Sequence, residues 1–355
     1  MSRRVLVLVG TKKGGFIIEG SGVRGDWQVR EPFSVGWPTF QVTNDPSSGA
    51  LLAGGGNEWY GPAVWRSDDL GKTWSHSSEG LTYGDDGPTI KAIWEVKPAH
   101  GAIYAGVEPA GLFRSEDGGK TWQHVSGLRE HPSCPEWFPG GGGLCLHSIV
   151  PHPTDPDQLW VGMSAVGTFH TADGGKTWTA RNKNVRADFL PTPAPEFGHC
   201  VHSLALGANG SLRLYQQNHC GVYRSDDGGA NWLEITAGLP SEFGFPMATH
   251  PRDPDTAYVI PLDGEGRWVP GGAAAVWRTR DGGGSWERLS EGLPQQGAYF
   301  GVLRQAMATD MLDPTGLYFG TGSGQVYASQ DEGESWSLIA DRLPTISSIK
   351  VALVD

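Results

Sequence analysis

Arg114-Ser-Glu-Asp-Gly-Gly-Lys-Thr-Trp122 is one of six close copies of a single nonapeptide. The others are Arg66-Ser-Asp-Asp-Leu-Gly-Lys-Thr-Trp74, His170-Thr-Ala-Asp-Gly-Gly-Lys-Thr-Trp178, Arg224-Ser-Asp-Asp-Gly-Gly-Ala-Asn-Trp232, Arg278-Thr-Arg-Asp-Gly-Gly-Gly-Ser-Trp286 and Ala328-Ser-Gln-Asp-Glu-Gly-Glu-Ser-Trp336. A seventh, degenerate copy ends at Asp26-Trp27. Successive tryptophans stand 47, 48, 56, 54, 54 and 50 residues apart. That period, about 51 residues, is the length of one blade in a radially repeated sheet.

Each unit reads as four strands. An apolar strand leads to a Pro/Asp/Gly turn such as His152-Pro-Thr-Asp-Pro-Asp157, and a second strand follows, Leu159-Trp-Val-Gly162 in that unit. A third strand (Gly111-Leu-Phe-Arg114 in its unit) enters the Asp-x-Gly hairpin, and a fourth starts at the Trp. The hairpin chemistry is local: Gly accepts positive φ, and the Asp carboxylate can bond N–H groups inside the turn. The Trp buries a broad face between neighbouring sheets. No segment holds a helical period. The N-terminal unit supplies only three strands, at Arg4–Gly10, Gly15–Glu19 and Asp26–Arg30, while Ile346–Asp355 reads as an orphan first strand. Pairing the two ends completes the first blade and removes two exposed edges. The expectation is an all-β, seven-bladed β-propeller occupying residues 1–355 as one domain, with blade 1 closed by the N- and C-terminal strands.

Composition agrees with a turn-dense β protein. Glycine and proline make up 78 of 355 residues, yet 38% of the chain is hydrophobic and 10% aromatic, which excludes a disordered chain. The net charge is −12 without a basic cluster, so nucleic acid is not an expected partner. No apolar run reaches the ~18 residues of a membrane span. The short apolar stretch Val5–Val9 runs into Gly10-Thr11-Lys12-Lys13 rather than a cleavage site, and four scattered cysteines fit a reducing compartment. A cytoplasmic location is therefore expected.

The hairpins at 66–74, 114–122 and 170–178 match the Ser/Thr-x-Asp-x-Gly-x-Thr-Trp motif, and the chain resembles the BNR/Asp-box repeat proteins over its whole length. That family includes sialidases, xyloglucan-cleaving glycosidases, sorting receptors and photosystem-assembly factors. The chain also looks like bacterial cytoplasmic members described as sialidase-like or glycosyl hydrolase-like. The resemblance implies the propeller and leaves the activity open. Sialidase activity is not expected: the Arg-Ile-Pro element that supplies the first of three carboxylate-gripping arginines is absent. The paired aspartates of the xyloglucan-cleaving members have no clear counterpart either.

Chemistry-bearing residues gather in one sector. Cys145-Leu-His147-Ser148 opens the fourth blade's inner strand and Cys200-Val-His202-Ser203 the fifth's. Side chains alternate along a strand, so each Cys and His share a face. Glu196 and His199 stand just upstream, Asn218-His219-Cys220 in the adjacent loop, and Cys134 and Glu136-Trp137 in the preceding connection. Three readings stay open. His147, His202 and His219 could ligate a transition metal such as Zn²⁺. His147, His202, Glu196 and His199 could form a catalytic group with a thiolate nucleophile. Or the histidines and cysteines are core residues, duplicated along with their blades.

Five tryptophans fall outside the hairpins and the other strands: Trp37, Trp59, Trp94, Trp137 and Trp268. Those with neighbouring carboxylates (Glu58-Trp59, Trp94-Glu95, Glu136-Trp137) suit a sugar. A glycosidase further needs two carboxylates about 5–9.5 Å apart, and Glu58, Glu95, Glu108, Glu136 and Glu196 are the candidates. Arg304, beside Tyr299 on the expected inner strand of the seventh blade, is the attractive anion contact. Pro139-Gly-Gly-Gly-Gly143 lacks the Lys-Ser/Thr and helix of a phosphate loop and reads as a loop over the channel mouth. The expected site is therefore a His/Cys/Glu/Trp-lined pocket at that mouth for a small polar or sugar-like ligand. The other expectation is a non-catalytic scaffold that docks a protein.

Overall fold

The computed structural model describes residues 3–210 and 212–355. They form seven antiparallel sheets of four strands each. In blade 1 the order is Ile346–Val354, Arg4–Thr11, Gly14–Ser21 and Gln28–Val29, so the C-terminal strand pairs with the N-terminal one as the sequence implies. The other six blades each take four strands in chain order. The seven first strands contact one another in a closed ring. Blades therefore stand around a central channel, and no sheet has an unpaired edge at the N- or C-terminal junction. Among the described residues the only helices are three 3₁₀ turns, at Ser126–Leu128, Cys134–Glu136 and Pro270–Gly272. None is long and apolar enough to cross a membrane.

The hairpin residues perform the expected local work. Asp173 accepts from the Thr177 amide at 2.9 Å, the Thr177 hydroxyl at 2.6 Å and the Thr171 hydroxyl at 2.8 Å. Asp69 repeats the set with Thr73 and Ser67. These bonds hold the Asp69 and Asp173 carboxyls down at about 2, as a carboxylate accepting several N–H and O–H groups must be. Of the seven hairpin tryptophans, Trp122, Trp178, Trp232 and Trp336 are buried and Trp27, Trp74 and Trp286 half-buried. Trp232 Nε1 donates to the Arg181 carbonyl and Trp286 Nε1 to the Ile235 carbonyl, both at 2.8 Å, which ties one blade to the blade before it.

One feature of the inner strands is invisible in the repeat. Six of the seven carry an extra residue near their first turn of pairing. It falls at Phe40, Trp94, His147 and His202, within Phe245-Pro246, and at Ser347. A bulge leaves its residue out of the ladder and re-aims the side chain. Here it repeats around the ring at one end of the channel, opposite the Asp hairpins. The residue after the bulge often latches the next blade: Gln41 Oε1 accepts from the Val96 amide at 2.7 Å, and Glu95 Oε2 from the Ile149 amide at 2.8 Å.

Candidate functional site at the upper channel mouth

The bulged residues converge on Arg304. Its guanidinium lies 5.1 Å from the Phe245 ring and 6.0 Å from the Trp94 ring. The Trp94 ring packs against Phe40 at 4.5 Å, and the Lys12 ammonium sits 4.7 Å above Phe40. Trp94 Nε1 donates to Glu108 Oε2 at 2.9 Å. Between them is a cavity of about 480 Å³, lined by Lys12, Phe40, Trp94, Glu108, Arg304 and Ser347, with Gly141 and Gly142 over it. The volume lies in the range of small-molecule pockets. A second, larger cavity continues below along the channel axis, past Arg304 and Gln305, where Glu95, Lys97 and Lys350 face it.

Arg304 is the electrostatic oddity. It forms no salt bridge and no hydrogen bond among the described residues, and its Nε is buried without a partner. Other arginines find carboxylates, as Arg186 does with Glu234 and Glu242 and Arg278 with Glu287 and Glu334, or a carbonyl or polar side chain, as Arg129 does with Ala110 and Arg288 with Ser290 and Gln295. Lys12 makes no ion pair either; desolvation lowers its pKa, against the pull of Glu108. Two cations thus face one carboxylate in a chain whose net charge is −12. Buried guanidinium groups normally have hydrogen-bond acceptors. The geometry leaves room for an anionic group on Arg304.

The structure separates the residues singled out in the sequence. Arg304 lies at the mouth, but it precedes the seventh blade's inner strand, Met307–Thr309, rather than belonging to it. Tyr299 is 66% exposed and sits edge-on to Trp268 at 5.7 Å, apart from the cavity lining. Trp137 is not a pocket wall: it is buried in the blade 3–4 core, against Phe169, with Nε1 on the Ser133 hydroxyl at 2.9 Å. Glu136 beside it is exposed. Trp59 is 91% exposed, and Glu58 pairs with Lys91 at 3.2 Å on the surface. Glu196 is exposed, with its carbonyl taking the Asn182 amide at 2.8 Å.

His147 and His202 are both buried, and desolvation keeps them neutral, His147 pushed down to about 3 and His202 well below its ordinary value. His147 Nε2 donates to the Val201 carbonyl at 2.9 Å, while its Nδ1 contacts the Ser148 hydroxyl at 3.1 Å, so both nitrogens are engaged. His202 uses the opposite nitrogen, Nδ1, on the Gly244 carbonyl at 2.6 Å. His199 is fully buried, Nε2 on the Pro195 carbonyl at 2.7 Å, with Nδ1 unpartnered. Asn218 is buried with neither amide atom bonded. His219 packs edge-on to His202 at 5.5 Å. Burial pushes the Cys145 thiol up to about 12, which removes it as a thiolate nucleophile at neutral pH.

Lys12, Phe40 and Ser347 were not singled out in the sequence, and Trp94 and Glu108 entered only within longer sets of candidates. Their positions span the chain from residue 12 to residue 347, and a bulge of one residue leaves no mark in hydrophobic periodicity. The one available signal was Lys12 itself, which falls in the connection between the second and third strands of its blade.

No protein-family model matches the chain. It is similar to a xyloglucanase from Paenibacillus, 26% identical over 317 residues, which covers 81% of this chain and 25% of that one. The chain thus spans about a quarter of that relative's length. Among solved structures it is similar to a GH74 enzyme from Niastella koreensis, with TM-score 0.66 and 17% identity over 94% of this chain and 52% of that one. It is also similar to YCF48 bound to a D1 peptide, with TM-score 0.55 and 16% identity over 85% of this chain and 84% of that one. These likenesses establish a seven-bladed propeller with glycosyl-hydrolase-like neighbours.

Proposed function

We propose that the upper channel mouth is a recognition pocket for a sugar acid, a saccharide of one or two rings bearing a carboxylate. The unpaired Arg304 guanidinium carries this reading. A carboxylate there would form the charge-assisted bidentate contact that arginine favours, with Lys12 as a second cation. Trp94 and Phe40 offer ring faces on which the C–H surface of a sugar packs, and Glu108 accepts from hydroxyl groups. The relatedness to xyloglucan-cleaving propellers supports a carbohydrate ligand. Hydrolysis needs a second carboxylate facing the first, and Glu108 is the only one lining this cavity among the described residues. Glu95 lies in the channel below, bonded to the Ile149 amide. The reading is therefore recognition of the ligand, on a glycosyl-hydrolase-like scaffold.

Titration calorimetry with glucuronate, galacturonate and glucose tests it. The uronates should bind and glucose should bind at least about tenfold more weakly, with that preference lost in Arg304→Gln. Equal affinities, or no binding by any of the three, would defeat the reading. A protein-docking face is the second reading, favoured by the exposed aromatics Trp59, Tyr60 and Phe138. It would be supported instead if Trp59→Ala abolished a pulled-down partner and the uronates failed to bind.

A further inference from the structure

We propose that Cys200, His202 and His219 form a Zn²⁺ site in blade 5, beside the sugar-acid pocket at the channel mouth, where the Phe245 ring lies 4.6 Å from His202 and 5.1 Å from the Arg304 guanidinium. One ligand atom from each of the three lies within 4.8 Å of the other two. Ligand atoms around tetrahedral zinc stand roughly 3.3–3.8 Å apart, given bonds of about 2.0–2.3 Å, so closure asks for shifts of about an ångström or less. One thiolate and two imidazoles leave a fourth position for water, the pattern of an open zinc site.

The molecule contains its own control. Blade 4 has the same Cys-x-His start, Cys145 and His147, and the station corresponding to His219 is Ser164. The correspondence is structural: the Ser164 amide donates to the Cys145 carbonyl at 2.9 Å, and the His219 amide to the Cys200 carbonyl at 3.0 Å. Blade 4 thus lacks the third ligand, and its histidine is committed through Nε2 to Val201. In blade 5 the third ligand is present and the histidine is turned over. Nδ1 of His202 donates to the Gly244 carbonyl, which fixes the tautomer and leaves the Nε2 lone pair free. A ligating histidine ordinarily has this arrangement, one nitrogen on the metal and the other donating to an oxygen. Duplication explains why the pair recurs; it does not explain why only one copy gained the third ligand and the matching ring orientation. On binding, the Cys200 thiol releases its proton to solvent and the sulfur joins the metal.

The test is titration of the full, reduced chain with Co²⁺, followed by absorption spectroscopy and Zn²⁺ competition. The expected result is one equivalent of bound Co²⁺, a thiolate-to-metal charge-transfer band, and displacement by Zn²⁺. Cys200→Ser and His219→Ser should each abolish the band or weaken binding at least about tenfold, while Cys145→Ser leaves both intact. His219→Ser copies the native Ser164, and circular dichroism checks that each variant is folded; Cys200→Ser alone suffices if His219→Ser is not. Absence of a thiolate band in the native chain, its survival in a folded Cys200→Ser, or its loss in Cys145→Ser overturns the proposal.

Discussion

The indole N–H of Trp94 donates to Glu108 Oε2 at 2.9 Å, across the first two strands of one blade. The bulge at Trp94 turns the ring out of its ladder and over the channel mouth, and the bond aims the carboxylate into the same cavity. Trp94→Phe keeps an aromatic wall and removes this bond. Losing one hydrogen bond to a carboxylate costs about 1.5 kcal/mol, so uronate affinity should fall about tenfold in calorimetric titration, with little change in melting temperature. An unchanged affinity would show that Glu108 holds its position without the indole.

The glycine loop over the mouth gives a steric test. A Cβ at Gly142 would stand 2.8 Å from Arg304 Nη2, whereas one at Gly141 would meet nothing within 4 Å. The far end of an arginine moves readily, so Gly142→Val should displace the guanidinium and spare the fold. Uronate binding should drop by an order of magnitude or more in Gly142→Val and stay at the native level in Gly141→Ala. Equal effects would mean that the loop does not govern the arginine.

The buried histidines make stability depend on pH. An unfolded histidine takes up a proton below about 6.5, but His147 in the fold resists protonation down to about 3. Unfolding is therefore increasingly favoured as pH falls from 6.5 towards 3, by up to ~1.4 kcal/mol per pH unit for each such group. Urea unfolding of His147→Gln at pH 7.5 and at pH 5 should show a lower stability at pH 7.5, by about 1–3 kcal/mol, and a shallower loss between the two. A slope equal to that of the native chain would contradict the assignment of His147 as a neutral inter-blade donor.

Asp173 acts in the opposite pH range. Its folded pKa, about 2, lies below the ordinary 3.8, so its contribution is complete above about pH 4 and disappears as pH falls through 2. Asp173→Ala should lower the melting temperature at pH 7, and the difference from the native chain should shrink between pH 4 and pH 2. A constant difference would show that the side chain's role is steric rather than hydrogen bonding.

The fold was legible because its signal is repeated and local. Each Asp hairpin carries its own turn chemistry, and seven tryptophans at near-constant spacing admit few architectures. The closure at Ile346–Val354 followed from counting strands in the first unit. The site was legible only in part. Arg304 was found as a channel-side cation and the Cys/His sector as an unusual cluster, yet Trp137 is a core residue and Trp59 a surface one. Placement of a tryptophan in a loop does not say whether the loop folds back into the core. The cavity is assembled from single residues on different blades: bulges turn in Phe40, Trp94 and Ser347, while Lys12, Glu108 and Arg304 come from strand ends and connections. The ligand-capable trio in blade 5 depends on which way a histidine ring faces, and sequence carries no record of that.

The most direct measurement is a crystal structure of the chain grown with glucuronate. The expected result is the sugar in the upper mouth, its carboxylate paired with Arg304 and its ring against Trp94. A sugar bound elsewhere, or a mouth containing only water at saturating glucuronate, would contradict it.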